Sequence, residues 1–223
     1  MFAVIFEVEP RTGMVEEYLQ LAGGLRPELE KIDGFVSVER FASRDREGRF
    51  LSLSVWRDEK ALVRWRTQGR HRPAQEKGRA AIFADYRLRV GEITADTRRP
   101  DGAGLLQQRF DEIEKGAAKF VTITELSQAG AQSSADRERS DPLGLPAAGT
   151  QGMVDRERFE SLTNAGKRLL LVGWRDRAAA ERWHLPQIAD GELHHRRVRI
   201  IRDYGMFDRA EAPQYYPPAS RTV

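Results

Sequence analysis

No cysteine occurs among the 223 residues. Disulfides, thiolate metal sites and a cysteine nucleophile are thereby excluded. No apolar run approaches the roughly 18 residues that a membrane helix requires. A Gly-rich phosphate loop, a nucleotide fingerprint, a serine-nucleophile elbow and a paired-carboxylate motif are absent too. A tightly held flavin or nicotinamide therefore has no support. The chain also lacks an excess of one charge: 37 Lys and Arg stand against 34 Asp and Glu, for a net charge of +3. Acidic and basic residues are interleaved throughout, which argues against a nucleic-acid surface. The opening Met1–Glu7 has no cationic n-region and is too short for a secretory signal. The expectation is a cytoplasmic globular protein with neither membrane nor nucleic acid as partner.

What the chain does contain is itself, twice. Glu39-Arg40-Phe41 returns as Glu157-Arg158-Phe159, 118 positions on (157 − 39 = 118). The same offset relates Gly48 to Gly166, Trp56-Arg57-Asp58 to Trp174-Arg175-Asp176, Trp65 to Trp183 and Asp85-Tyr86 to Asp203-Tyr204. A period this long marks a duplicated domain rather than a solenoid unit. Each half alone has a modest core, so the halves are expected to pack on each other. The division read from the repeat is 1–95 for the first copy, 96–118 for a linker with a short helix over Leu105–Lys115, 119–208 for a degenerate second copy, and 209–223 for a tail rich in Pro and Tyr.

In the first copy, residues 2–8 read as a strand with both faces largely apolar, hence covered on both sides. A helix is predicted over about 13–31, loosened at Gly23-Gly24. A strand follows at 35–42, then an Asp45–Gly48 hairpin signal and a strand at 49–57. Asp58 is placed to cap the helix that carries Ala61, Leu62 and Trp65. A second helical stretch runs from Pro73 to Phe83, and the last strand from Asp85 to Ile93. In the second copy, strands are expected at 119–126, 153–160, 167–175 and 197–207, and a helix at 176–185. The Gly-, Ser- and Pro-rich stretch 128–152 cannot sustain the helix of the first copy and reads as a long loop. The order β-α-β-β-α-β is the ferredoxin-like plan. The predicted fold is therefore α+β, with two tandem ferredoxin-like repeats packed sheet to sheet as one intramolecular barrel. Edge strands of such sheets are the expected route to a homodimer.

Residues 2–93 resemble the antibiotic biosynthesis monooxygenase family of dimeric α+β barrels. The resemblance is carried by Trp56-Arg57-Asp58 leading to Trp65, by His71–Arg79, and by Phe83–Val90. Residues 119–207 match more weakly, through Trp174-Arg175-Asp176, Trp183 and Asp203-Tyr204. The resemblance implies oxidation of a planar, electron-rich organic substrate by O2, without bound flavin or metal. A haem-degrading branch of the family supplies the alternative, and a barrel that binds small molecules without catalysis is a third reading. The haem-degrading pattern is incomplete: Phe6 and Thr124 stand where it has Asn, and Gln75 where it has His, while Trp183 is followed by His194 and His195.

His71, with an unperturbed pKa near neutrality, is the candidate general base. Trp65 is the candidate stacking surface, and Tyr86 completes the catalytic set. Arg72, Gln75, Asp85, Trp183 and Tyr204 are the candidate substrate contacts, with Arg72, Gln75 and Tyr86 stabilising oxyanions. No metal site is predicted. His184, His194 and His195 with Arg196 and Arg197 read as an exposed basic cluster, and His194 or His195 would be the ligand if haem were bound. Trp56 and Trp174 read as core anchors, and the arginines at 64, 66, 70, 72 and 79 as a solvated helix face. The tail is read either as draped over the body through Tyr215 and Tyr216 or as disordered.

Overall fold

A computed structural model describes the chain apart from residues 99–104, 106, 110–112, 114–115, 129–142, 144, 184–190, 214–215 and 217–223. Most of the predicted 105–115 helix and of the 128–152 loop, together with His184 and Tyr215, lies outside the described residues.

The first half contains β1 (Phe2–Pro10), α1 (Val15–Glu30), β2 (Phe35–Ser43), β3 (Phe50–Trp56), α2 (Glu59–Arg66), α3 (His71–Lys77), a π-helical turn (Gly78–Ile82) and β4 (Phe83–Asp96). The second contains β5 (Phe120–Ser127), β6 (Met153–Ser161), β7 (Lys167–Trp174), α4 (Arg177–Arg182) and β8 (Glu192–Gly205). Gly23-Gly24 does not break α1, which runs through both residues. Among the described residues no helix is long and apolar enough to cross a membrane.

The eight strands form one closed antiparallel barrel in the order β1-β3-β2-β6-β7-β5-β8-β4. Within it, each half keeps the ferredoxin-like strand order, β4-β1-β3-β2 and β8-β5-β7-β6. The sheet edges that could pair between chains meet each other inside this one. β4 lies along β8, and Phe41–Ser43 of β2 faces Phe159–Ser161 of β6. Alternation along the strands sets two layers of core. Ala3, Ile5, Phe41, Leu51, Ile123, Phe159, Leu169 and Leu171 fill the barrel. Phe2, Val4, Phe6 and Val8 point outward, under the helices.

The repeat is exact where the chain turns. Asp58 and Asp176 cap their helices through the amides of Ala61 and Ala179, each at 2.8 Å. Gly34 and Gly152 both have positive φ, +91° and +83°, and a Cβ on either would lie within 2.6 Å of the Ala61 or Ala179 methyl. Only glycine satisfies both demands. Ser43 bonds Glu157 and Ser161 bonds Glu39, each at 2.6 Å, across the β2–β6 seam.

In the last strand the constant offset fails. Phe2 of β1 faces Glu92 of β4, whereas Phe120 of β5 faces Arg199 of β8, so the offset there is 107 (199 − 92 = 107). The second half is shorter by eleven residues before this strand (118 − 107 = 11). β8 accordingly starts at Glu192, not at 197. The counterpart of Tyr86, opposite Val8, is Leu193, opposite Leu126. Asp203-Tyr204 recurs by coincidence: it lies in the far end of β8, where Tyr204 faces Leu88 of the first half.

Candidate active site

The outer face of the first sheet and the helices over it enclose a cavity of about 230 Å³. Its floor is Val4, Phe6, Ser52, Ser54 and Leu88; its roof comes from α1, α2 and α3. The break between α2 and α3 aims the roof. The Gln68 side-chain oxygen accepts from the amides of Arg70 and His71, at 2.6 and 2.9 Å, and starts α3 at His71. At the other end of α3, a Cβ on Gly78 would lie 2.4 Å from the Phe83 ring, so the π turn lets Phe83 pack against the helix backbone. The last wall belongs to the second half: Arg202 and Tyr204 from β8, then Arg209, Pro213 and Tyr216.

His71 is half-buried with its ring stacked on Trp65, 4.1 Å between centroids and 17° between planes. Its Nδ1 is 3.1 Å from the Trp65 carbonyl oxygen. A carbonyl can only accept, so this contact calls for the proton on Nδ1 and the lone pair on Nε2, whereas the Gln75 amide nitrogen beside the same Nδ1 can only donate. Burial pulls the pKa down to about 4, partly opposed by the Trp65 carbonyl. At neutral pH the imidazole is thus an uncharged acceptor. Gln75 Nε2 is 3.2 Å from Nδ1, and Gln75 Oε1 accepts from the Tyr216 hydroxyl at 2.9 Å. The tail is therefore tied to α3 through Tyr216.

Tyr86 is buried, and its oxygen accepts from Arg79 and from Arg209, both at 2.7 Å. Its own proton remains available to a substrate oxygen. The two guanidiniums also flank the Tyr216 ring, at 5.1 and 5.2 Å from its centre. Burial pushes the Tyr204 hydroxyl up to about 12, so it stays protonated. His71, Trp65, Tyr86, Gln75 and Tyr204 thus line one cavity.

Three predicted contacts do not. Arg72 sits one residue round α3 from His71, exposed, and pairs with Glu76 at 3.2 Å. The Asp85 carboxylate accepts from the Tyr86 amide at 2.7 Å and lines a separate polar cavity at the barrel mouth, with Glu7, Arg89 and Asp155. Trp183 lies against Trp174 on the second half, 6.1 Å between ring centres.

Nor are His194 and His195 an exposed cluster: both are half-buried. His194 Nε2 is 2.7 Å from Asp96, at the end of the β4–β8 seam opposite the one where Arg87 pairs with Asp203 at 2.6 Å. Burial raises the Asp96 carboxyl, but His194 and the neighbouring groups outweigh it and hold the pKa at about 2. His195 Nδ1 is 2.9 Å from Thr124 Oγ1, and burial lowers the pKa of its ring to about 4. These residues complete strand-to-strand contacts of β8.

Several lining residues had no sequence signal. Arg66 and Arg79, read as a solvated face, turn inward. Arg202 and Arg209 reach the cavity only because the barrel closes. Tyr18 and Arg40 also line it, the latter hidden inside a repeated triplet that looks structural.

Residues 1–77 match the antibiotic biosynthesis monooxygenase family model. The jasmonate monooxygenase of Pyricularia oryzae is 40% identical over 227 residues, covering 99% of this chain and 100% of that one. The uncharacterised protein YqjZ of Bacillus subtilis is 35% identical over 60 residues, 27% of this chain and 51% of that one. Among solved structures, an anthrone oxidase-like protein is similar at 18% identity and a TM-score of 0.34, covering 96% of each chain. Identity of this order along two whole chains, with the family match spanning β1 to α3, shows that the chain belongs to the antibiotic biosynthesis monooxygenase family.

Proposed function

We propose that the chain oxidises a small, electron-rich organic substrate with O2 in the first-half cavity. The observation that carries this is His71: an imidazole kept neutral by burial and held at Nδ1, facing a cavity whose walls are mainly apolar. His71 takes a proton from an acidic position on the substrate. Trp65 presents an aromatic surface beside it. Tyr86 donates to the oxygen on which negative charge collects, and apolar walls strengthen that hydrogen bond by excluding water. A substrate methylene deprotonated in this way gives its electron pair to O2 and forms a C–O bond. Loss of the second methylene proton then breaks the O–O bond, leaving one oxygen atom in the product carbonyl and the other in water. The substrate supplies all four electrons, so it is its own reductant and the reading calls for no bound flavin or metal.

The full-length relative is named for jasmonate, so an organic acid joins the acidic phenols as the first substrates to try. The edges of both sheets are engaged within one chain, which supports a chain that completes its cavity without a second copy.

The test is oxygen uptake after dialysis against a chelator. His71→Asn is expected to lower kcat by about 10² or more with a small change in KM, the usual contribution of a positioned base. Wild-type kcat should rise through about pH 4 and then level off, as His71 loses its proton. An unchanged kcat in the variant removes His71 from the mechanism. A saturable Soret band on titration with haemin would favour the haem alternative.

A further inference from the structure

We propose that Tyr18 and Arg40 form a subsite for the carboxylate of the substrate, an inference that rests on the cavity being the site of oxidation. Six arginines line this cavity (Arg26, Arg40, Arg66, Arg79, Arg202 and Arg209) against one carboxylate, Glu59. Glu59 is itself held by Arg109, at 2.9 Å to each oxygen. An apolar chamber with that charge balance selects an anion that carries an apolar body.

Within it, two buried donors await a partner. The Tyr18 residue is 3% exposed; the Arg40 guanidinium beside its hydroxyl can only donate to it, so the hydroxyl's own proton has no acceptor. Its ring cannot turn away, because Phe50 and Phe83 pack on it at 5.8 Å each. The Arg40 Nε is also buried without a partner. Arg40 Nη2 donates to the Ala22 carbonyl at 2.9 Å, which fixes the guanidinium against α1. Burial raises the Tyr18 hydroxyl, so it stays protonated; the nearby Arg40 guanidinium opposes the shift. An N–H donor and an O–H donor side by side suit a carboxylate, whose oxygens only accept.

The repeat supplies a control built into the molecule. The counterpart of Arg40 is Arg158 (40 + 118 = 158). Arg158 has its carboxylate: Asp45 accepts from its Nε at 2.9 Å and from its backbone amide at 2.7 Å. The position that would serve Arg40 in the same way is Thr163 (45 + 118 = 163), which has no negative charge to offer. Among the described residues no carboxylate pairs with Arg40. Beside it across the strands lies Ser52, where the second half has Leu170. The first half has thus kept the cation, lost its internal counterion and opened a polar floor next to it.

The experiment is anaerobic binding, by titration calorimetry, of jasmonate and a short series of aryl and alkyl carboxylates, each beside its methyl ester. The wild type should bind acids more tightly than esters. Arg40→Met should weaken acid binding about 10- to 100-fold and Tyr18→Phe about tenfold, the usual range for hydrogen bonds to a charged group. Ester binding should move less than about twofold in either. Tyr18→Phe keeps the packed ring, so it stays informative if Arg40→Met fails to fold. Equal weakening of acid and ester, unchanged acid binding in both variants, or a wild type with no preference for acids overturns the proposal. Binding without turnover separates the two readings: retained acid selectivity with no oxygen uptake would sink the oxygenase assignment alone.

Discussion

Over the first sheet, Ser52, Ser54 and Arg40 lie beneath an open cavity. At the matching places on the second sheet stand Leu170 and Val172, fully buried under Leu143, Leu145 and Trp183, and an Arg158 already paired with Asp45. Both halves keep the capping aspartate, the left-handed glycine and the strand-end tryptophan. Even a loss in one half is compensated locally: Trp56 Nε1 donates to Ser54 at 3.0 Å, while Trp174 Nε1 donates to Thr122 at 2.9 Å, from the neighbouring strand. Thr122 is the counterpart of Val4, so the polar and apolar members have swapped strands. The comparison separates two kinds of residue. Those that turn the chain or seal the barrel are held in common; those that face outward under the helices differ, and they differ in the direction of a site on one side and a packed face on the other.

Four measurements would break or sharpen this contrast. The framework tryptophans should matter equally. Trp56→Ala and Trp174→Ala are each expected to cost about 3–5 kcal/mol in denaturant unfolding, the range for emptying a buried aromatic site. A much smaller loss for Trp174→Ala would mean that the second half is loosely packed. The acid response comes next. His71 and His195 both have folded-state pKa values near 4 from burial, below the ordinary value of 6.5. Between these values the unfolded chain binds more protons, so stability should fall as pH drops from 6.5 to 4, by roughly 2 kcal/mol per histidine. His71→Gln and His195→Gln should each flatten that slope in melts at several pH values; a slope unchanged in both variants contradicts the buried, neutral assignment. Transplanting the second half's residue, Ser52→Leu, should weaken ligand binding by about tenfold or more, the effect of a methylene or two in a fitted pocket. Undiminished affinity would move the binding site elsewhere. The smallest effects belong to the caps. Asp58→Ala and Asp176→Ala should each cost about 1 kcal/mol, and by similar amounts in both halves.

The elements and their order were legible because local chemistry announces them. Asp after Trp-Arg caps a helix, Asp-Gly and Glu-Gly turn strands, and alternation marks the two layers of core. His71, Trp65 and Gln75 were legible through the family resemblance; the break after α2 brings His71 and Gln75, one turn apart on α3, against Trp65. Arg72 was misplaced for want of helical phase: it is a neighbour of His71 in sequence and faces away from it on α3. Asp85 looked like a substrate contact but spends its oxygen on the amide of the next residue. The recurrence of Asp-Tyr hid a deletion, since two residues in common cannot distinguish an offset of 118 from one of 107. Arg202, Arg209 and Tyr216 could not be assigned to the first-half cavity at all, because only closure of the barrel brings them there, with Tyr204, into its wall.

That last fact bears on how the protein can be divided. The family match stops at residue 77, yet one wall of the cavity is built more than 120 residues further on, by the strand end that carries Arg202 and Tyr204. A fragment holding the first copy alone would keep the base, the stacking ring and the Tyr18–Arg40 pair but leave them open to water on one side. The duplicated half, without a comparable set of polar residues on its own outer face among the described residues, acts as the missing shutter of its twin. In a symmetric pair of identical chains every substitution is made in both sites at once. Joined in one chain, the copies are free to specialise, one into the chamber and the other into the wall that closes it.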